Sequence, residues 1–306
     1  MPTLQQLRYL ALLDETLHFR RAAERAHVTQ PTLSAQLSAL ETKLGLQLVE
    51  RSRARVVMTP EGHEIAARAR RILREVDEIT ELAHRGRQPL GGTIRVGVVA
   101  SLGSYFLPLV IPDLHASHPD LRLYVREGTA ADLTTRLDDG ALDLLFLPLP
   151  ARGPDLDTAR LFREPLLAVT PNDHPLAQLS AVPRERLKGE TILSLEPGHK
   201  LHEQVRQICE ATGAEISLDY GATSLDTIRQ MVGMGLGLSL LPALYVRSEV
   251  QPNRLVTARP LAGPQPFRTV GMVWRRHAAR AGEYAELAQI LRRILRQTAP
   301  EVTVID

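Results

Sequence analysis

Between Phe19 and Arg51 the chain reads FRRAAERAHVTQPTLSAQLSALETKLGLQLVER, a pattern that admits few folds: two short helices around a tight turn. Ala22, Ala23 and Ala26 are small enough to let a second helix cross closely, with Leu10 and Leu13 of the preceding helix as partners. Thr29 is suited to cap that second helix through its hydroxyl, and Pro31 falls in the first turn, where a missing N–H costs nothing. Leu33, Leu37, Leu40 and Leu44 recur at helical spacing and face a core, which leaves Gln30, Thr32, Ser34, Gln36 and Ser38 more outward. These are short amide and hydroxyl groups, where an ordinary solvated helix carries Glu and Lys. Gln pairs with an adenine edge, and Thr and Ser serve bases or phosphates, so the face suits the major groove of double-stranded DNA. Gln30, Pro31, Thr32 and Ser34 are the expected contact and positioning residues. The alternative is a generic amphipathic helix pair.

After Gly45 the run LQLVERSRARVVMTPEG sets Arg51, Arg53 and Arg55 between two apolar stretches, predicting a short hairpin with a basic tip. As a wing, its Arg51 and Arg53 would neutralise phosphates or enter the minor groove; the bland reading is a solvated turn. Net charge is only +2, so nucleic-acid affinity must come from such local clustering.

From Pro60 to Arg85, Ile65, Ala69, Ile72, Val76, Ile79 and Ala83 alternate by fours and threes, a heptad seam for a long helix. It either pairs with its copy in a second chain or packs on its own domain. Paired, two recognition helices would read half-sites spaced by whole turns of DNA. Gly86, Pro89, Gly91 and Gly92 end the helix and mark a linker.

The remainder reads α/β. Strands TIRVGVVA, LRLYV, DLLFL, LLAVT, TILSL and GLSLL alternate with helical stretches such as ADLTTRLDDG, KLHEQVRQICEATG and SLDTIRQMVGMG, which predicts parallel sheets with covering helices. Turns at Ser101 and Gly198, and Thr223 and Ser224 before another helix, would place free backbone N–H groups around a cleft for a small polar or anionic ligand.

With 306 residues and 44% hydrophobic content, the chain has material for more than one domain. One cysteine excludes an intramolecular disulfide framework and multi-cysteine zinc sites, and fits a reducing compartment. No signal segment or membrane-length apolar run appears, so the expectation is a cytoplasmic protein with no membrane partner. An enzyme is the competing class for an α/β cleft rich in Ser and Gly, but the sequence has neither a GxSxG elbow nor a P-loop, and GMGLGLS follows a helix rather than opening one. No motif asks for a cofactor or a metal. His199 and His202 are three apart without clear further ligands.

Through FRRAAERAHVTQPTLSAQLSALETKLGLQLVERSRARVVMTPEG the chain resembles the LysR-type transcriptional regulators, and the resemblance extends over essentially its whole length. It implies an α/β protein with an N-terminal all-α winged helix-turn-helix (1–59), a linker dimerisation helix (60–88), and a two-lobed, periplasmic-binding-protein-like effector domain (92–306). Lobe I would combine 92–163 and 267–306, and lobe II 164–266. It also implies a homodimer or tetramer on promoter DNA, and RNA polymerase as partner if the chain activates.

Within that family HFRRAA, LPLVIP, SLEPGHKL, ATSLDTIRQMVGMGLGLSLLPAL and FRTVGMVWR are most similar to the peroxide-sensing OxyR group. There a reactive cysteine directly follows the histidine of a GHCL-type motif, and a second cysteine lies farther along the helix. Here Lys200 stands at the first position and Cys209 at the second, so that group's intramolecular disulfide switch cannot operate. By the same resemblance Ser101, His199 and Arg268 match the effector pocket, and a further hydroxyl falls at Ala130, with Thr129 as its only neighbouring replacement. Two effectors stand open: hydrogen peroxide acting through Cys209, and a small anion near Ser101, Thr129, His199, Lys200, Thr223 and Arg268. The helix dipole disfavours an ammonium at its N-terminus unless an acid or bound anion compensates, which keeps anion capture open as an alternative; a lysine pointing outward into solvent is the commoner case. Cys209 is either a sensor, with Arg206 one turn away to steady a thiolate, or a silent thiol raised by burial and by the helix C-terminus.

Overall fold

The computed structural model describes residues 1–51, 56–84, 90–151, 153, 155–253 and 255–305. Two compact units emerge, one built on Met1–Gln88 and the other on Pro89–Leu137 with Leu142–Asp306.

In the first unit, α1 (Leu4–Thr16), α2 (Phe19–Arg25) and α3 (Gln30–Leu44) precede a two-stranded antiparallel hairpin, β1 (Val49–Arg51) and β2 (Val56–Met58), and the long α4 (Pro60–His84). Leu10, Leu13, Ala22, Ala23, Leu33, Leu37 and Leu40 form one buried core, the close crossing that the alanines allow. The α2–α3 turn closes with Val28 N–H on the Ala23 carbonyl (3.0 Å) and His27 N–H on that of Glu24 (3.2 Å), and His27 takes the left-handed conformation (φ 55°) that such a turn demands. Thr29 then caps α3, accepting from Thr32 N–H at 3.4 Å. Gly45 ends it at φ 66°.

Glu41 turns its carboxylate back to accept from Leu48 and Val49 N–H at 2.9 and 3.1 Å, fixing where the hairpin starts. Thr59 caps α4 by accepting from Gly62 N–H at 2.9 Å and donates to the Gln47 carbonyl at 2.9 Å. Gly62 is required there: a Cβ would lie 2.1 Å from the Leu48 carbonyl oxygen. The seam of α4 divides by environment. Ile65, Ala66 and Ala69 pack into their own domain, whereas Ile72 and Ile79 are exposed on the single chain. Ala83's side chain, the basic tip at Arg53 and Arg55, and the helix end near Gly86 lie outside the described residues.

The second unit holds β3 (Gly92–Val99), α5 (Gly103–Ser117), β4 (Leu121–Gly128), α6 (Ala130–Asp138), β5 (Leu144–Pro148), β6 (Leu156–Pro171), β7 (Thr191–Leu195), α7 (Lys200–Thr212), β8 (Glu215–Ala222), α8 (Leu225–Gly233), β9 (Leu238–Pro242), β10 (Val256–Arg259), β11 (Phe267–Arg275), α9 (Ala281–Thr298) and β12 (Thr303–Val304). The strand order β4-β3-β5-β11-β6-β9-β7-β8 runs through β6, a 16-residue strand whose first half pairs with β11 and whose second half pairs with β9 and β10. Two apolar clusters divide along that strand. Phe162 belongs to the first, with α5 and α9, and Leu166 to the second, with α7 and α8.

The expected parallel sheets prove mixed. β3, β4 and β5 are parallel, as are β7, β8 and β9, but β6 and β11 run antiparallel to their neighbours. β11, which comes from far along the chain, inserts between β5 and β6 and runs against both.

Candidate functional site

The exposed start of α3 presents Gln30, Pro31 and Thr32, with the Thr29 and Thr32 hydroxyls 2.8 Å apart. Ser34 and Ser38 are half-buried, and Gln36, expected outward, accepts from Gln6 Nε2 at 3.2 Å and so serves the α1–α3 contact. The outward surface continues instead through Ala35, Ala39 and Thr42, small groups that permit close approach to a groove wall; a methyl such as Ala35's complements that of thymine. Leucine spacing does not mark these positions, because alanine is itself apolar. Arg51 begins the wing as the register partner of Val56, and Arg53 lies outside the described residues.

In the second unit the residues expected around one pocket occupy three places. Arg268, 1% exposed, donates from Nε to Glu164 Oε2 at 2.7 Å, from Nη1 to Ser101 Oγ at 2.9 Å and from Nη2 to the Ser101 carbonyl at 2.9 Å. Glu164, 0% exposed, also accepts from Leu244 N–H at 2.9 Å. This network ties β11, β6, the turn before α5 and the helical segment from Ala243 together where the two cores meet. Glu164 was not identified from the sequence: a single acid in a strand announces no partner 104 residues away.

His199 and Lys200, at the N-terminus of α7, line a cleft of about 530 Å³ with Gly198, Glu203, Leu147 and the start of α6 at Ala130, Ala131 and Thr134. The N-terminal ends of two helices therefore face one space, a favourable setting for negative charge. Lys200 Nζ donates to the Pro150 carbonyl at 3.1 Å, which answers part of the dipole's penalty and leaves ammonium donors to spare. Thr129 caps α6 through Asp132 N–H at 3.3 Å, and Thr223 is exposed just before α8.

Cys209 lies elsewhere, buried on the inner face of α7 with Leu201 and Val205. Burial, and to a lesser degree the Glu210 carboxylate, push its thiol up to about 11. Arg206 does not offset this, since its guanidinium is shared between Glu203 and Glu210. His202 bonds the Leu195 carbonyl through Nδ1 at 2.7 Å.

The Bacterial regulatory helix-turn-helix protein, lysR family, matches residues 4–63, and the LysR substrate binding domain matches residues 87–296. The chain belongs to the LysR family. This LysR-family regulator is 39% identical over 289 residues to the DNA-binding transcriptional dual regulator OxyR of Escherichia coli K12, covering 94% of each chain. It is 38% identical over 289 residues to a hydrogen peroxide-inducible genes activator of Pectobacterium carotovorum, covering 94% of this chain and 95% of that one. Among solved structures it is similar to a full-length cysteine-to-aspartate OxyR of Pseudomonas aeruginosa, with TM-score 0.77 and 37% identity, covering 95% of this chain and 98% of the other. The hydrogen-peroxide-bound cysteine-to-serine OxyR of Corynebacterium glutamicum gives TM-score 0.67 at 31% identity, covering 97% of this chain and 94% of the other. The LysR-family chain is thus an OxyR-like DNA-binding regulator, and its relatives are transcriptional regulators, not enzymes. Among its described residues no helix is long and apolar enough to cross a membrane.

Proposed function

We propose that this LysR-family regulator governs promoters in response to hydrogen peroxide, as a dimer or tetramer that contacts DNA through Gln30, Thr32, Ser34 and the wing arginines Arg51 and Arg53, with Pro31 positioning α3, and engages RNA polymerase where it activates. The observation that carries this is full-length similarity to peroxide-inducible activators, with Cys209 as the chain's only thiol. Cys209 thiolate would attack one peroxide oxygen, cleaving the O–O bond to give a sulfenic acid and releasing hydroxide. With the thiol at about 11, only about one molecule in ten thousand is thiolate at pH 7, so oxidation is slow.

The test is near-stoichiometric hydrogen peroxide with a sulfenic-acid trap, read by peptide mass, alongside a DNA footprint. A trapped adduct on Cys209 and an altered footprint, both lost in Cys209→Ser, are expected. An unmodified Cys209 in protein that still binds DNA overturns the thiol route.

Lys200 favours a second reading, in which a small anion enters the cleft at His199 and Lys200 and the lobes respond without thiol chemistry. Calorimetric titration with inorganic phosphate and with acetate tests it. Saturable binding lost in Lys200→Ala supports this reading, and no heat with either removes those anions.

A further inference from the structure

A second cavity, of about 420 Å³, opens on the other side of α7, lined among others by Ser194, Leu195, His202, Cys209, Ile216 and Tyr220. Its origin is an irregularity in β8. That strand pairs with β7 at Ile192↔Ile216 and again at Ser194↔Gly221, so residues 217–220 form a bulge opposite a single residue, Leu193. The excursion is closed by Tyr220 N–H on Ser217 Oγ at 3.2 Å, and it carries Leu218 out to 96% exposure.

Ser194 is left below the gap. It is 6% exposed, and its hydroxyl has no hydrogen-bond partner among the described residues. A buried hydroxyl without a partner costs free energy that an incoming polar group recovers. His202 adds a second handle: its Nδ1 meets a carbonyl, which only accepts, so Nδ1 carries the proton and Nε2 of the neutral ring remains an acceptor. Apart from Ser217, whose hydroxyl is engaged by Tyr220 N–H, the inner wall is apolar, with Leu195, Ala214 and Ile216 beside the un-ionised Cys209 thiol and Tyr220 also in the lining. Glu196 and Glu210 stand on the rim, and the cation there, Arg206, is already held by Glu203 and Glu210. An anion finds no unpaired positive charge.

We propose that this cavity in the second lobe is a ligand site, distinct from the cleft at His199 and Lys200, for an uncharged one-ring molecule carrying a hydroxyl, of the phenol class, whose oxygen bonds Ser194 or His202 while its ring covers Cys209. The size falls in the range of small-molecule sites, and apolar walls with a few convergent polar groups are their usual composition. The inference does not depend on Cys209 being a peroxide sensor; the thiol serves only as a reporter.

The experiment titrates the full chain with phenol and with benzoate, reading affinity by calorimetry and occupancy by the rate at which N-ethylmaleimide labels Cys209 at pH 8.5. Saturable phenol binding that slows labelling is expected, with benzoate much weaker. Ser194→Ala should weaken phenol roughly fivefold while its unfolding midpoint without ligand is no lower than that of the parent, since the hydroxyl removed had no partner. Absence of saturable phenol binding, equal binding of benzoate, or affinity that is unchanged in Ser194→Ala but lost in Lys200→Ala would each overturn the assignment.

Discussion

Glu164 and Arg268 form a fully buried ion pair in which each charge has further hydrogen bonds, so removing one charge leaves the other stranded in a low-dielectric interior. Glu164→Gln should destabilise the effector domain by roughly 3–5 kcal/mol, seen as a lowered urea midpoint for the domain's transition. Cys209 gives a residue-scale prediction in pH. Its folded-state thiol, at about 11, lies above its ordinary value, so the folded protein keeps a proton that the unfolded chain releases first. The stability this supplies is intact at neutral pH and declines as pH rises from the ordinary thiol range through about 11. Thiol labelling should accelerate about tenfold per pH unit between pH 7 and 10 in wild type; a flat rate would show that opening, not ionisation, limits the reaction. The burial of Cys209 was legible from the apolar spacing of α7. The loss of Arg206 as its support was not, because Arg206 has acids at both i−3 and i+4 and only side-chain geometry assigns it to them.

At the scale of elements, α4 performs two jobs that one heptad pattern does not separate. Its first turns are tied to α1, where Asp14 accepts from Arg70 at 2.7 Å and meets His63 at 2.6 Å, and Ala66 and Ala69 are buried. Farther along, Ile79 is 65% exposed on the single chain, an apolar seam facing solvent in the absence of a second copy. Ile79→Glu should therefore shift the protein toward monomer in sedimentation without lowering the unfolding midpoint of the N-terminal domain. A parallel loss of that midpoint would mean that Ile79 packs on its own domain instead. The helix-turn-helix itself was readable because capping, proline placement and leucine spacing agree over the same few residues. Its turn was less so: His27 fills the left-handed position usually marked by glycine, and leaves no glycine signal.

For the whole molecule, a net charge of +2 gives no general attraction to DNA, so salt sensitivity must arise from the few local arginines. If Arg51 and Arg53 of two copies together neutralise four phosphates, operator affinity should fall roughly a hundredfold between 50 and 200 mM salt, measured by fluorescence anisotropy. Arg53→Ala should flatten that slope while leaving sequence preference intact. The sequence by itself determined the helix-turn-helix, its wing, the long seam helix and the alternating α/β character of the rest. Each is written in local periodicity, caps and turn residues, which act over one or two turns of chain. Only the tertiary structure decided that β6 and β11 run against their neighbours, that Arg268 bonds Ser101 directly and is held beside it by Glu164, and that His199 and Lys200 share a cleft while Cys209 lines a different cavity. Those outcomes depend on which groups meet across a hundred residues, and on burial, which removes water as the competing partner and so makes the pairing of charges obligatory.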